Sequence, residues 1–101
     1  MQFILIAHNG TDPEAPARRQ KARPTHLAHM KQAAAEGHVV AAGALRTEEG
    51  EPTGSFMVLE FPDRAGLDDF LAHEPYAAGD VWKEISITHC TAVFVDNRMV
   101  E

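Results

Sequence analysis

Apolar residues along the chain are concentrated in four short runs. These runs cover residues 2–8, 39–45, 55–61 and 84–95, and they are bounded by glycine, proline, asparagine or other polar residues. Short runs rich in aliphatic side chains between such residues are typical of β-strands. We therefore expect four strands with apolar residues on both faces. The fourth is expected to be the longest, followed by a tail from residue 96.

A helical segment is predicted between the first two strands. Residues 17–36 have a helix-forming composition, contain Pro24 and end at Gly37, which suits a left-handed helix cap. Proline fits the first turn of a helix and disrupts its interior. Two arrangements therefore stay open at this point. Either a short helix ends near Ala22 and a second begins at Pro24, or one helix kinks there.

A second helix is predicted after the third strand. Asp63 suits its N-cap, and Leu67, Phe70 and Leu71 have the i, i+3, i+4 spacing of a buried stripe. Pro75 is expected to end this helix, and residues 76–79 to connect it to the last strand.

The resulting order, β-α-β-β-α-β, predicts an α+β fold of the ferredoxin-like, split βαβ type. Both helices would cover one face of an antiparallel sheet, in a single domain spanning residues 1–101. Because the strands are apolar on their other face too, a monomer would expose a large apolar patch. We therefore expect a homodimer that packs sheet against sheet.

Composition and charge narrow the range of functions. The chain has 101 residues and a formal net charge of −6. An acidic surface disfavours nucleic acids and anionic membranes as partners. Cys90 is the only cysteine, so an intramolecular disulfide and a paired-cysteine zinc site are excluded, and we interpret it as a buried, inert thiol. With neither a signal-peptide pattern nor a long apolar run, a cytoplasmic location is the expectation.

The chemistry is concentrated in the motif Arg19-x3-Arg23-Pro24-x-His26-x2-His29. On a helix beginning at Pro24, Leu27, Met30 and Ala34 would form the buried stripe, with His26 at its edge and His29 turned toward solvent. A histidine at the rim of a cleft suits a general base. The structural alternative is a half-buried histidine bonded to a backbone carbonyl. His26 and His29 could also bind a metal ion together, but such a site would need His8 or His89 as a third ligand.

A second candidate segment, Glu74-Pro75-Tyr76, follows the second helix. It offers a carboxylate on a rigid turn and a hydroxyl donor. In a split βαβ fold the end of one helix can lie near the start of the other, which would bring Glu74 or Tyr76 within reach of His26. The alternative interpretation is a proline stop with an ordinary capping contact.

Taken together, these motifs resemble the YciI-like (YCII-related) family over nearly the whole chain. The residues that carry the resemblance are Arg19-x3-Arg23-Pro24-x-His26-Leu27-x-His29, Gly37, Val40-Ala41-Ala42-Gly43, Gly54-Ser55 and Glu74-Pro75-Tyr76-x2-Gly79. The resemblance implies a ferredoxin-like monomer, a dimeric α+β barrel and a cleft in which His26 is the catalytic group. The family usually has Asp-Pro-Tyr where this chain has Glu74-Pro75-Tyr76. For the aspartate common after the first strand, Asn9 and Asp12 are the nearest residues.

The predicted function is that of a small enzyme without cofactor or metal. His26, with Glu74, would transfer a proton in an elimination or isomerisation of a small acidic or aromatic metabolite. The predicted substrate-binding residues are Arg19, Arg23, Gly43, Ser55 and Tyr76. One known activity of the family is dehydrochlorination of a chlorinated hydroxyhydroquinone. Two alternatives stay open: a non-catalytic, dimeric ligand-binding or accessory protein, and a haem- or metal-dependent enzyme of the barrel superfamily.

Overall fold

The computed structural model describes residues 1–101. Its elements, in chain order, are β1 Gln2–Asn9, α1 Ala15–Ala35, β2 Val39–Arg46, β3 Pro52–Glu60, α2 Arg64–Ala72, α3 Pro75–Ala78, β4 Trp82–Cys90, β5 Phe94–Val95 and β6 Arg98–Met99. The four long strands, β1 to β4, form one antiparallel sheet in the order β2-β3-β1-β4, and the helices cover one of its faces. This confirms the predicted ferredoxin-like α+β fold. No helix has the combination of length and apolar character that crossing a bilayer requires.

The first helix runs without a break through Pro24, so the arrangement with two separate helices is wrong. Its end is the predicted one, because Gly37 has a φ of +82° and the His38 N–H donates to the Ala33 carbonyl at 2.9 Å. Glycine adopts this left-handed conformation without steric cost. α1 therefore leads directly into β2.

Small residues set the face by which α1 packs. Ala33 is buried, Ala22 and Met30 lie against the core, and His26 lies between them on the same face. Small side chains let a helix approach its neighbours closely. The predicted stripe is wrong for Leu27, which is exposed, and it fails for Ala34 for the same reason. The packed face is centred on His26 rather than beside it.

The second half of the chain follows the prediction as far as α2. The Asp63 carboxylate caps this helix by accepting from the Gly66 N–H at 2.9 Å, and Leu67 and Phe70 are buried. Pro75, expected to end α2, instead begins the short helix α3, where its missing N–H has no structural cost. The predicted connector is therefore helical over most of its length.

The last strand is shorter at its C-terminal end than predicted. β4 ends at Cys90, and β5 and β6 form a separate hairpin in place of the predicted strand end and tail. Its turn contains Asp96 and Asn97, both with positive φ, as two-residue hairpin turns require. β4 lies at the edge of the sheet, so Cys90 is half-buried rather than fully buried.

The two faces of the sheet differ in this chain. On β1, Phe3, Leu5 and Ala7 point to the helices and are fully buried. The alternating residues Ile4 and Ile6 lie on the other face and remain partly exposed. That face also carries partly exposed apolar residues of β3 opposite them, as the register of the two strands dictates.

Candidate active site

The site is centred on a buried contact between α1 and α3. His26 Nδ1 lies 2.5 Å from Oε1 of Glu74, and Glu74 is wholly buried. An ionised carboxylate can only accept hydrogen bonds, so Nδ1 carries the proton and donates it. The other ring nitrogen, Nε2, then has a free lone pair and can accept a proton. The sequence-based expectation that these two side chains meet is met by the geometry.

Backbone geometry explains how Glu74 reaches this position. Glu74 is the N-cap of α3, and its extended conformation is the one that a residue before proline favours. Its Oε1 also accepts from the backbone N–H of Tyr76 at 3.0 Å. The capping contact and the histidine contact, considered as alternatives from the sequence, therefore occur together at one oxygen atom.

The second histidine of the motif, His29, also faces Glu74. Its Nε2 lies 3.6 Å from Glu74 Oε2, and neither of these buried atoms has a hydrogen-bond partner. The ring packs on Phe70, with the centroids 4.7 Å apart. The prediction that His29 points to solvent is therefore wrong. The packed face of α1 is wider than predicted, so one carboxylate lies between two imidazoles.

Tyr76 forms one wall of the site. Its ring stacks on the imidazole of His26, with centroids 3.8 Å apart and planes 10° from parallel. The guanidinium of Arg19 lies over the same ring, 4.7 Å from the centroid. Burial raises the pKa of Tyr76, against the opposing effect of the positive charges of Arg19 and Arg23. The hydroxyl therefore remains a neutral donor at ordinary pH.

The side chain of Arg19 extends from α1 to the end of β1. Its Nη1 donates to Asn9 Oδ1 at 3.1 Å. Burial lowers the pKa of Arg19, Tyr76 opposes this, and the nearby charge of Arg23 adds to it. Of the two residues considered for the family's aspartate, Asn9 contacts this arginine. Asp12 instead forms a two-contact ion pair with Arg18, at 2.8 Å for each contact.

A tryptophan that the sequence analysis missed completes the wall. The edge of the Trp82 ring faces His26, with centroids 6.4 Å apart, and its Nε1 donates to Ser55 Oγ at 3.1 Å. Ser55 is buried, so its hydroxyl orients Trp82. The available signal was that Trp82 is the only tryptophan and follows the Glu74-Pro75-Tyr76 segment closely.

Gly43 does not join the other predicted site residues. It pairs with Phe56 in the β2–β3 register, and the strand alternation places both on the helix-free face. A Cβ atom on Gly43 would lie 2.6 Å from Cε1 of Phe56. The absence of a side chain makes room for this ring, and the structure places Gly43 on the opposite face of the sheet from His26.

The arginines of the motif open onto solvent next to this cluster. Arg19 and Arg23 line a cleft of about 360 Å³ between α1 and the β2–β3 end of the sheet. Arg23 is exposed at its rim, whereas Arg19 is half-buried. No group of three or more histidine, cysteine, aspartate or glutamate side chains is arranged to hold a metal ion.

Comparison with known proteins agrees with this architecture. Residues 1–91 match the family model of the YCII-related domain. The chain belongs to this family. It is 28% identical to an uncharacterized protein of Haemophilus influenzae over 100 residues, covering 93% of this chain and 100% of the relative. It is 26% identical to the protein YciI of Escherichia coli, with the same coverage of both chains.

Two solved structures share the fold. One is a 5-chloro-2-hydroxyhydroquinone dehydrochlorinase from Burkholderia phenoliruptrix in complex with 2,5-dihydroxybenzoquinone. It has a TM-score of 0.77 and 17% identity, covering 90% of this chain and 94% of the other. The second is an antibiotic biosynthesis monooxygenase, with a TM-score of 0.55, 19% identity and coverage of 91% and 97%. At these identities the similarity establishes only that this chain shares the fold of both structures.

Proposed function

We propose that this YCII-related protein is a small enzyme in which His26 transfers a proton to or from a small acidic or aromatic metabolite. The observation that carries the proposal is the buried contact between His26 Nδ1 and Glu74 Oε1. A buried carboxylate that fixes the tautomer of an imidazole leaves its second nitrogen as a base. The reaction class is elimination or isomerisation, which needs a positioned base and a stabilised anion.

Each neighbour of His26 has a role in this scheme. Nε2 of His26 takes a proton from carbon or oxygen of the substrate, and Glu74 stabilises the imidazolium that forms. Tyr76 limits the position of the ring and offers its hydroxyl to the substrate. Arg19 and Arg23 attract the anion, and no step in this scheme calls for a cofactor. The dihydroxybenzoquinone bound to the structurally similar dehydrochlorinase supports a small aromatic ligand.

His29 acts in this proposal as a positioning residue. Its Nε2 lies 3.6 Å from Glu74 Oε2, the oxygen that does not contact His26. A proton on this nitrogen stabilises the ionised carboxylate, because an unpaired buried charge is costly. His29 thereby holds the Glu74 carboxylate in the position where its other oxygen accepts from His26.

We also propose that the chain works as a cytoplasmic homodimer. The support is the helix-free face of the sheet, where Ile4, Ile6, Phe56 and Val58 stay partly exposed in the single chain. Adjacent apolar side chains of this kind are usually covered in an assembly. A free thiol at Cys90 is compatible with a reducing compartment.

Chloride release from 5-chloro-2-hydroxyhydroquinone tests the proposed reaction. The wild type, His26→Gln and the control Thr25→Ala are compared, since Thr25 neighbours His26 but is exposed. We expect His26→Gln to lower the rate by about 10²–10⁴-fold, the usual contribution of a general base, and Thr25→Ala to leave it unchanged. Equal rates for the three proteins would contradict the role of His26. Tight binding of 2,5-dihydroxybenzoquinone without turnover would instead favour a ligand-binding protein.

A further inference from the structure

A third arginine, Arg46, faces the cleft that Arg19 and Arg23 line. The remaining lining residues are neutral: Pro16, Gln20, Ala44 and Pro52. The cleft therefore contains three positive charges and no carboxylate. Arg46 belongs to no motif identified in the sequence, and it comes from the sheet rather than from α1.

These three arginines have no ionic partner, as is also true of Arg98 in the β5–β6 hairpin, whereas the other two arginines of the chain are paired. Arg18 pairs with Asp12 and Arg64 with Asp68, whereas none of the cleft arginines takes part in an ion pair. Acidic residues are not scarce, since the chain has 15 of them against 9 lysines and arginines. Like charges that converge without a counter-charge raise the local positive potential, which attracts anions.

The two sides of the cleft are built by different elements. Arg19 and Arg23 are four residues apart on α1, so they lie on adjacent turns of the same helix face. Arg46 is the last residue of β2, where the register with β3 shifts and Arg46 lies opposite Pro52. Such irregularities redirect a side chain from the regular alternation of a strand. The small side chain of Ala44 leaves room beside it.

The cleft adjoins the His26 site through one shared residue. The guanidinium of Arg19 lines the cleft and also lies 4.7 Å above the Tyr76 ring, which stacks on His26. A molecule whose anionic group is held by Arg23 and Arg46 would therefore reach His26 by passing Arg19. Planar guanidinium groups bind carboxylates and phosphates through paired hydrogen bonds.

We propose that this cleft is an oxyanion subsite, and that Arg46 selects substrates that carry a carboxylate or phosphate arm beyond their reacting part. That such molecules are substrates rests on the function proposed above. A compound with the reacting ring alone would use Arg19 and Tyr76 and leave Arg46 without a role. Arg46 is thus a specificity-determining residue rather than a catalytic one.

Calorimetric titration with phenyl phosphate, benzoate and phenol tests the subsite without any turnover. The three probes share one ring and differ in the attached group, so they separate a phosphate arm from a carboxylate arm. The proteins compared are the wild type, Arg46→Gln, Arg46→Lys and the control Arg98→Gln. Arg98 is an exposed arginine of the β5–β6 hairpin and lies outside the cleft. A thermal melt of each variant verifies that it is folded.

We expect the wild type to bind phenyl phosphate or benzoate more tightly than phenol, and more weakly as salt is added. Arg46→Gln should weaken the preferred anion by about 10-fold or more, the usual effect of losing a charged hydrogen bond. Arg46→Lys should recover part of this loss, and Arg98→Gln should bind as the wild type does. The tighter of the two anions identifies the arm.

Two results would overturn the subsite. One is equal binding of the three probes by the wild type, and the other is unchanged anion binding in folded Arg46→Gln. Either result leaves the chloride-release test of His26 unaffected, because no reaction is measured here. Conversely, loss of anion binding in Arg46→Gln supports the subsite even if 5-chloro-2-hydroxyhydroquinone is not turned over.

Discussion

Nδ1 of His26 lies 2.5 Å from Oε1 of Glu74, although 48 positions separate the two residues in the chain. The contact joins the middle of α1 to the N-cap of α3. Glu74 is wholly buried and also accepts a hydrogen bond from the Tyr76 N–H, so its carboxylate links α1 to α3. The same pair is thus expected to affect both stability and proton transfer.

Replacement of the buried carboxylate of Glu74 should lower the stability of the fold more than replacement of an exposed carboxylate does. Glu74→Gln keeps the side-chain length but removes the charge that His26 Nδ1–H contacts. We expect the free energy of unfolding to fall by about 1 kcal/mol, because the buried hydrogen bond from His26 Nδ1–H then has a neutral amide oxygen as its acceptor instead of a charged carboxylate. Urea denaturation measures this. Glu84→Gln, at an exposed carboxylate of β4, is the control and should change the stability little. Similar stability of Glu74→Gln and the wild type would contradict the pairing.

His29 should matter more than an exposed helix residue. His29→Ala removes the ring that packs on Phe70 and the nitrogen nearest Glu74 Oε2. We expect a loss of about 1–2 kcal/mol in unfolding free energy and a slower proton transfer. Gln32→Ala, one turn further along and exposed, is the matched control. If both variants behave like the wild type, His29 does not position Glu74.

The ion pair between Asp12 and Arg18 should make stability depend on pH in the acid range. Its hydrogen bonds with Arg18 lower the pKa of Asp12 from 3.8 to about 2 in the folded chain. A lowered pKa stabilises the fold above the unfolded value, and this contribution is lost as pH falls through the folded value. The Tm difference between the wild type and Asp12→Asn should therefore shrink as pH falls from about 4 to about 2. The Tm difference between the wild type and Arg18→Gln should shrink in the same way. A Tm difference that stays constant over this pH range would contradict the contribution of the ion pair.

The proposed dimer predicts a specific effect of charge on the helix-free face. Val58 of β3 lies opposite Ile4 of β1 on that face. Val58→Asp should place a charge in the interface and yield monomers in sedimentation at micromolar concentration, where the wild type forms dimers. Thr53→Asp, at the exposed start of β3, should remain dimeric. A monomeric wild type would exclude the dimer, and a dimeric Val58→Asp would place the interface elsewhere.

The fold was predictable from the sequence because apolar runs and helix signals agree along the chain. Gly37 ended α1 and Asp63 capped α2 as expected, since both act through local backbone geometry. The behaviour of Pro24 and Pro75 was not fixed locally. Packing keeps α1 continuous across Pro24, and Pro75 begins a short helix rather than ending the previous one.

The site was predictable only where the topology of the fold brings two segments together. His26 and Glu74 were expected to meet, but the orientation of His29 depended on a helix phase that the alanines of α1 set through packing. Trp82 and Arg46 were missed because their places in the site follow from strand register and sheet order. Gly43 was misplaced for the same reason, since strand alternation puts it on the opposite face.

The most direct test of the central claim follows deuterium from solvent into the ring of hydroxyhydroquinone, by proton NMR in D₂O without oxygen. If His26 Nε2 moves protons on a bound aromatic compound, the wild type should accelerate the exchange of ring hydrogens. His26→Gln should then lose about 10²-fold or more of that acceleration, and the exposed-site variant Thr25→Ala should retain it. Equal acceleration by the wild type and His26→Gln would contradict the assignment of His26 as the proton-transferring group.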